Sequence, residues 1–139
     1  MLHAIIGIGS NSVRLLIADV ARQTMTHCHR DRIGTRLFDG LVNGCLTEES
    51  MCVSLEAVAQ FAQDARAHDC GQLHIMATSA TRDASNRAVF AARIQATTGV
   101  PLEILSGEQE AYLSYLGGAQ HGRSGLIDIG GGSTELTVG

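Results

Sequence analysis

Residues 3–20 read HAIIGIGSNSVRLLIADV. Two apolar runs, 3–8 and 13–20, flank the small polar group Gly9, Ser10, Asn11 and Ser12. Aliphatic and β-branched runs bounded by turn residues predict two strands joined by a tight turn. The same device recurs near the other end of the chain. Residues 7–17 (GIGSNSVRLLI) align without a gap on residues 128–138 (DIGGGSTELTV). Ile8 falls on Ile129, Gly9 on Gly130, Ser12 on Ser133, Leu15 on Leu136, and Ile17 on Val138. Glycine lets a backbone approach a ligand closely, and the successive N–H groups of such a turn form a concavity for anions. Serine and asparagine side chains add donors. A single glycine turn is ordinary hairpin chemistry. Two aligned turns, one on each side of a cleft, point to phosphate, because interfaces between domains favour ligand sites.

Between the two hairpins the pattern alternates. A third strand is expected within 24–33, then a loop holding Asp39, Gly40, Asn43 and Gly44. Thr47 suits a helix N-cap, with Glu48 and Glu49 in the first turn where the helix dipole favours acids. Met51, Leu55, Val58, Ala59 and Ala62 then recur at helical spacing, one apolar face. Gly71 is the expected stop. Residues 73–77 predict a strand, 84–97 a helix ending near Gly99 and Pro101, and 102–105 a short strand. A further helix runs from Gly107 or Glu108 towards Gly117, and strands follow at 125–129 and 134–138. The order β-β-β-α-β-α-β-α, followed by a new hairpin, predicts an α/β fold with helices packed on a mixed sheet.

Composition narrows the ligand. The 139 residues are 45% hydrophobic, ample for a core, and the net charge of −4 argues against nucleic acid or a membrane surface as partner. Every strongly basic residue is arginine, so a Walker phosphate loop, which needs lysine, is excluded. An anion must be held by turn amides and individual arginines. No apolar run is long enough to span a bilayer, and MLHAIIGIGS lacks the features of a signal peptide. Cys28, Cys45, Cys52 and Cys70 form no CxxC; they are expected as reduced, partly buried thiols of a cytoplasmic protein. His27, Cys28 and His29 read as ordinary strand residues, with a metal site the minor alternative.

Four segments in order, IGSNSVRLL (8–16), ATSATRDASN (77–86), ILSGEQEAYL (104–113) and IDIGGGSTEL (127–136), resemble the exopolyphosphatase and guanosine pentaphosphate phosphatase family of the actin-like ATPase superfamily. The resemblance implies a ribonuclease H-like domain over residues 1–123 and the first hairpin of a second such domain over 124–139, with the rest of that domain missing. It implies hydrolysis of a terminal phosphate from inorganic polyphosphate or guanosine pentaphosphate, with magnesium as cofactor. Carried over by motif, Glu110 matches the catalytic glutamate, a base for the attacking water. Ser10, Asn11, Ser12 and Arg14 match the first phosphate loop, and Arg82 a phosphate-contacting arginine. Asp128 matches the metal-associated aspartate, and Gly131, Gly132 and Ser133 the second phosphate loop.

Two positions depart from the family pattern. Gly7 stands where the family has Asp, and the internal repeat agrees, since Gly7 aligns with Asp128. Losing that carboxylate weakens metal binding and catalysis. Gln109 replaces a glutamate just before Glu110, removing a like charge beside the base. Two rival readings follow. In one the chain is a non-catalytic module that binds polyphosphate or guanosine polyphosphates; Gly7 favours it, and a phosphate-release assay separates it. In the other it is an actin-like ATP-binding or sugar-kinase-like protein, which predicts an adenosine pocket. A lone fragment is expected to show little turnover. Apolar surface near 125–138 is expected to drive self-association, a homodimer among the outcomes.

Overall fold

The structure, a computed structural model, describes residues 1–21, 24–118, 125–129 and 134–138, with side chains described for 1–19 and 29–113. Its centre is a five-stranded sheet in the order β3-β2-β1-β6-β7. The strands are β1 (Leu2–Ile8), β2 (Ser12–Ala21), β3 (Thr24–Gly34), β6 (Gln72–Ala77) and β7 (Leu102–Ile104). The antiparallel start expected from the short connections is present: β1 pairs with β2 and β2 with β3 in antiparallel fashion, whereas β1, β6 and β7 run parallel. A bulge between β2 and β3 puts Ile17 opposite His29 and Ala18 opposite His27, so Cys28 is the extra residue. His29 stacks on His68, with centroids 5.1 Å apart.

Alternation along the strands sorts the core. Ala4, Ile6 and Ile8 of β1, Val13, Leu15 and Ile17 of β2, and Ile75 and Ala77 of β6 are all buried. Against them pack α1 (Glu48–Ala67) and α3 (Arg87–Thr98), through Met51, Val58, Phe61, Phe90 and Ile94. Phe61 and Phe90 are fully buried, each worth about 1.5–3 kcal/mol of apolar transfer. The stripe of α1 differs from the expected one. Ser54, Ala57, Phe61 and Ala65 join Met51, Val58 and Ala62 in the core, while Leu55 and Ala59 are half-buried. The face is centred nearer Phe61 than the aliphatic residues alone suggest.

The helix ends follow local chemistry. Thr47 Oγ1 accepts the Ser50 N–H at 3.2 Å, the expected N-cap. Glu48, in the same turn, makes a bidentate pair with Arg93 of α3 at 2.5 and 2.6 Å. This contact with Arg93 holds the Glu48 carboxyl below its ordinary pKa. At the far end the left-handed residue is Asp69 (φ 54), not Gly71. A Cβ on Gly71 would meet only the exposed side chain of Met1, with Cγ at 2.9 Å. The helix expected at 84–97 begins at Arg87. It ends at Gly99 (φ 75), whose N–H reaches Gln95 O at 2.8 Å.

Two small elements depart from the loop expected around residue 40. A 3-10 turn covers Leu37–Gly40, and β4 (Leu41–Val42) pairs with β5 (Cys45–Leu46). Asn43 and Gly44 both have positive φ (52 and 77), the conformation of a two-residue hairpin turn that Asn-Gly favours. Asn86 then pins this hairpin to α3, accepting from Leu46 N and donating to Leu46 O at 2.9 Å each. The remaining elements are α2 (Ser79–Arg82), α4 (Gly107–Gly118), β8 (Gly125–Ile129) and β9 (Thr134–Val138). The last two form a separate antiparallel sheet, and α4 packs on both. Cys45 and Cys52 are exposed and Cys70 half-buried, so two thiols lie further out than expected. Among the described residues no helix is long and apolar enough to cross a membrane.

Candidate active site

Three segments leave the sheet at one edge. Ile8 is in register with Ala77, and Ala77 with Ile104, across three parallel strands. Their carboxyl ends therefore line up, which is where open α/β sheets bind ligands. Beyond those ends the chain continues as the turn at 9–11, as α2, and as α4, so three of the four sequence motifs meet there. Hydrogen bonds extend the alignment past the strands: Thr78 N donates to Ile8 O at 3.3 Å and Leu105 N to Ala77 O at 2.9 Å.

The turn is closed by Gly9 N donating to Ser12 O at 2.9 Å. A Cβ on Gly9 would sit 3.3 Å from that oxygen, closer than side chains tolerate without a shift. Two of its carbonyls are committed to protein. Asn11 O accepts from Thr35 N at 3.1 Å and Arg36 N at 3.0 Å, and Ser10 O from Phe38 N at 3.0 Å. Ser10 and Ser12 are buried, and Ser10 Oγ lies 3.0 Å from Ser79 Oγ at the start of α2. Asn11 and Arg14 are exposed. The bracing segment 35–38 and Ser79 were not singled out in the sequence; for Ser79, its place in ATSATRDASN was the available signal.

Arg82 and Glu110 come together. Arg82 Nη1 donates to Glu110 Oε2 at 3.2 Å and to Leu105 O at 2.9 Å. The two side chains are only 26% and 15% exposed, so solvent and salt screen the pair less than a surface one. Glu110 lies in the first turn of α4, and that turn is a reciprocal capping box. Ser106 Oγ accepts Gln109 N–H at 3.1 Å, and Gln109 Oε1 accepts Ser106 N–H at 2.9 Å. Gln109 therefore fixes the start of the helix that carries Glu110. Either glutamate or glutamine can close such a box.

The second half of the constellation is less fully drawn. Asp128 is on β8, in register with Glu135 on β9. Gly131, Gly132 and Ser133 lie outside the described residues. Among the described residues no three His, Cys, Asp or Glu side chains gather as a metal group. Gly7 is opposite Arg14 on the sheet, and a Cβ there would meet nothing within 4 Å. The absent carboxylate is thus a matter of residue type, since the backbone leaves room for one.

Three antiparallel strands followed by two parallel ones, with loops 9–11, 78–82 and 105–110 at one edge, define a ribonuclease H-like domain of the actin-like class. The chain belongs to the Ppx/GppA phosphatase family, whose family model matches residues 16–139. Exopolyphosphatase 2 of Mycobacterium tuberculosis is 36% identical over 98% of this chain and 47% of its own length. An exopolyphosphatase from Cytophaga hutchinsonii superposes with a TM-score of 0.91 at 28% identity, over 100% of this chain and 46% of that one. The Aquifex aeolicus member of the Ppx/GppA family gives 0.88 at 28% identity, over 100% and 47%. The chain spans about half the length of the relatives it matches.

Proposed function

We propose that this chain supplies one wall and the water-activating carboxylate of a phosphoanhydride hydrolase. The enzyme removes the terminal phosphate from inorganic polyphosphate or guanosine pentaphosphate. The observation that carries this reading is the Arg82–Glu110 contact at the carboxyl edge of the sheet, beside a turn whose twin recurs at 128–138. Residues 1–123 are the first domain, and 124–139 open a second that completes the cleft in a cytoplasmic protein.

The residues divide the work. Asn11 and the amides of its turn grip phosphate oxygens, with Arg14 neutralising charge. Ser10 and Ser12, both buried, hold the turn in shape. Arg82 fixes the direction of the Glu110 carboxylate and lies where a phosphate oxygen arrives. Glu110 takes the proton of the attacking water as its oxygen bonds to the terminal phosphorus. The bond from that phosphorus to the bridging oxygen breaks, and the shortened phosphate chain leaves with the electron pair. Phosphoryl transfer asks mainly for positioning and charge stabilisation. Asp128, with Glu135 directly across the ladder, offers the hard oxygen donors that magnesium prefers. A cation bound there would neutralise phosphate charge and polarise the reacting group. Gly7 offers no donor, so these two carboxylates are the ones assigned to it.

The test is phosphate release from polyphosphate and from guanosine pentaphosphate with magnesium. It is run on the 139-residue chain and on the chain extended by the second half of a family relative. Turnover is expected from the extended form. Glu110→Gln should lower kcat about 10³-fold with little change in KM; undiminished turnover removes Glu110 from the role. Substrate binding without release, even in the extended form, would replace the hydrolase reading by the binding module that Gly7 favours.

A further inference from the structure

α2 is a single helical turn of four residues, Ser79–Arg82, and its two ends touch different parts of the site. At its start Ser79 Oγ lies 3.0 Å from Ser10 Oγ, across 69 positions of sequence. At its end Arg82 Nη1 donates to Leu105 O and to Glu110 Oε2. The helical turn is closed by Arg82 N donating to Thr78 O and Asp83 N to Ser79 O, at 2.9 Å each. Ser79, Ala80 and Thr81 are buried, so α2 is packed into the fold. Three helical rises separate Ser79 from Arg82, about 4.5 Å. A chain of direct contacts therefore runs from the glycine turn at 9–11 through Ser10, Ser79, α2 and Arg82 to Glu110. The backbone tie beside it is longer, from Thr78 N to Ile8 O at 3.3 Å. Ser79 and Ser10 are only 2% and 5% exposed, and buried hydroxyls depend on such partners. Thr81 Oγ1, two residues along, is buried with no hydrogen-bond partner among the described residues. The hydroxyl of α2 that is satisfied is the one that meets the glycine turn.

We infer that Ser79 is a positioning residue, whose hydroxyl sets through Ser10 where the glycine turn stands relative to Glu110. It acts on the reaction through Ser10 at one end of α2 and Arg82 at the other, without touching the reacting atoms. That a reaction is what it positions rests on the function proposed above; the coupling of Ser79 to the turn does not. Removing the Ser79 hydroxyl alone orphans Ser10 Oγ, and an unmade buried bond costs stability. Removing both hydroxyls takes away that cost and still leaves the turn uncoupled. A double-mutant cycle therefore separates stability from positioning.

The first readout is amide hydrogen exchange in the 139-residue chain, with urea unfolding measured beside it. Gly9 N, bonded to Ser12 O, reports on the turn. Ser79→Ala should lower the unfolding midpoint and speed Gly9 exchange about tenfold, the worth of one hydrogen bond. The double variant, Ser10→Ala with Ser79→Ala, should recover most of the midpoint and keep the fast exchange. Thr81→Val removes the unpartnered hydroxyl of the same helix and should leave Gly9 exchange unchanged. The second readout is phosphate release by the extended form. Ser10→Ala, Ser79→Ala and the double variant should each lower kcat about tenfold with KM unchanged, because a misplaced phosphate is still held. Gly9 exchange that is unchanged in Ser79→Ala, or that recovers with stability in the double variant, makes Ser79 a structural residue only and overturns the inference. Losses in kcat that multiply in the double variant overturn it too. Fast exchange that persists in the double variant, in a protein whose extended form releases no phosphate, leaves the coupling standing and the hydrolase reading fallen.

Discussion

The two glycine hairpins share a backbone device and differ in what stands on it. In the first, Gly7 faces Arg14; at the matching rung of the second, Asp128 faces Glu135. One rung carries a single positive charge and the other two carboxylates. The first hairpin lies at the centre of a five-stranded sheet, whereas the second is a two-stranded ladder packed on α4. A repeated turn therefore need not mean a repeated task. If the proposed function holds, the first hairpin takes anionic oxygen and the second a cation, and the division depends on what stands at these two rungs.

The largest test of that division is Asp128→Asn. If the cation belongs to the second hairpin, phosphate release by the extended polypeptide should fall about 10³-fold, because several kcal/mol of charge stabilisation go with the metal. Its magnesium requirement should rise in parallel. A variant as active as its parent would erase the contrast. Next comes the anchoring of the first hairpin. Ile6, on the hairpin's own strand β1, is fully buried, so Ile6→Ala should cost about 3 kcal/mol in urea unfolding. A cost below about 1 kcal/mol would mean that the hairpin holds its shape without the sheet core. Thr47→Ala removes the cap of α1, the helix behind that hairpin, and should cost about 1 kcal/mol by the same assay. A silent change would show that α1 is set by packing alone.

The smallest effect is Glu48→Gln. Arg93 lowers the Glu48 pKa from 4.5, so the charged pair favours the folded state. That contribution is present above the unfolded value and lost as pH falls through the lower folded value. The parent should therefore be slightly more stable than Glu48→Gln at neutral pH, with the gap closing in acid. A gap that does not vary with pH would assign the effect to something other than the ion pair.

Most of the strands and long helices could be read in advance, because their periodicity extends over several residues. Ile6 and Ile8 alternate with Ile5 and Gly7, and Thr47 opens α1 as its side chain predicts. Small elements escaped that reading. The four residues of α2 and the two-residue strands β4 and β5 are too short to show a period, although Asn43-Gly44 was a usable signal for the hairpin. Arg82 and Glu110 were each marked by a motif. Their contact was not legible, since it bridges 28 positions of sequence and is made by the parallel alignment of β6 and β7. Ser79 was passed over for a related reason. Nothing separates it from its motif neighbours, and only the alignment of β1 with β6 brings it to Ser10.

Arg82 also has a mechanical consequence. Its Nη1 holds both Leu105 O and Glu110 Oε2, and so clamps the base of α4 to the sheet edge. The 12 residues of that helix form a rigid rod about 18 Å long. Its other end leads towards the second hairpin. Pivoting the rod by about 5° at the clamp swings its tip by about 1.5 Å, a displacement large enough to misalign reacting groups. The guanidinium thus fixes the base of α4 against the strand ends, and with it the angle at which that helix leaves the sheet.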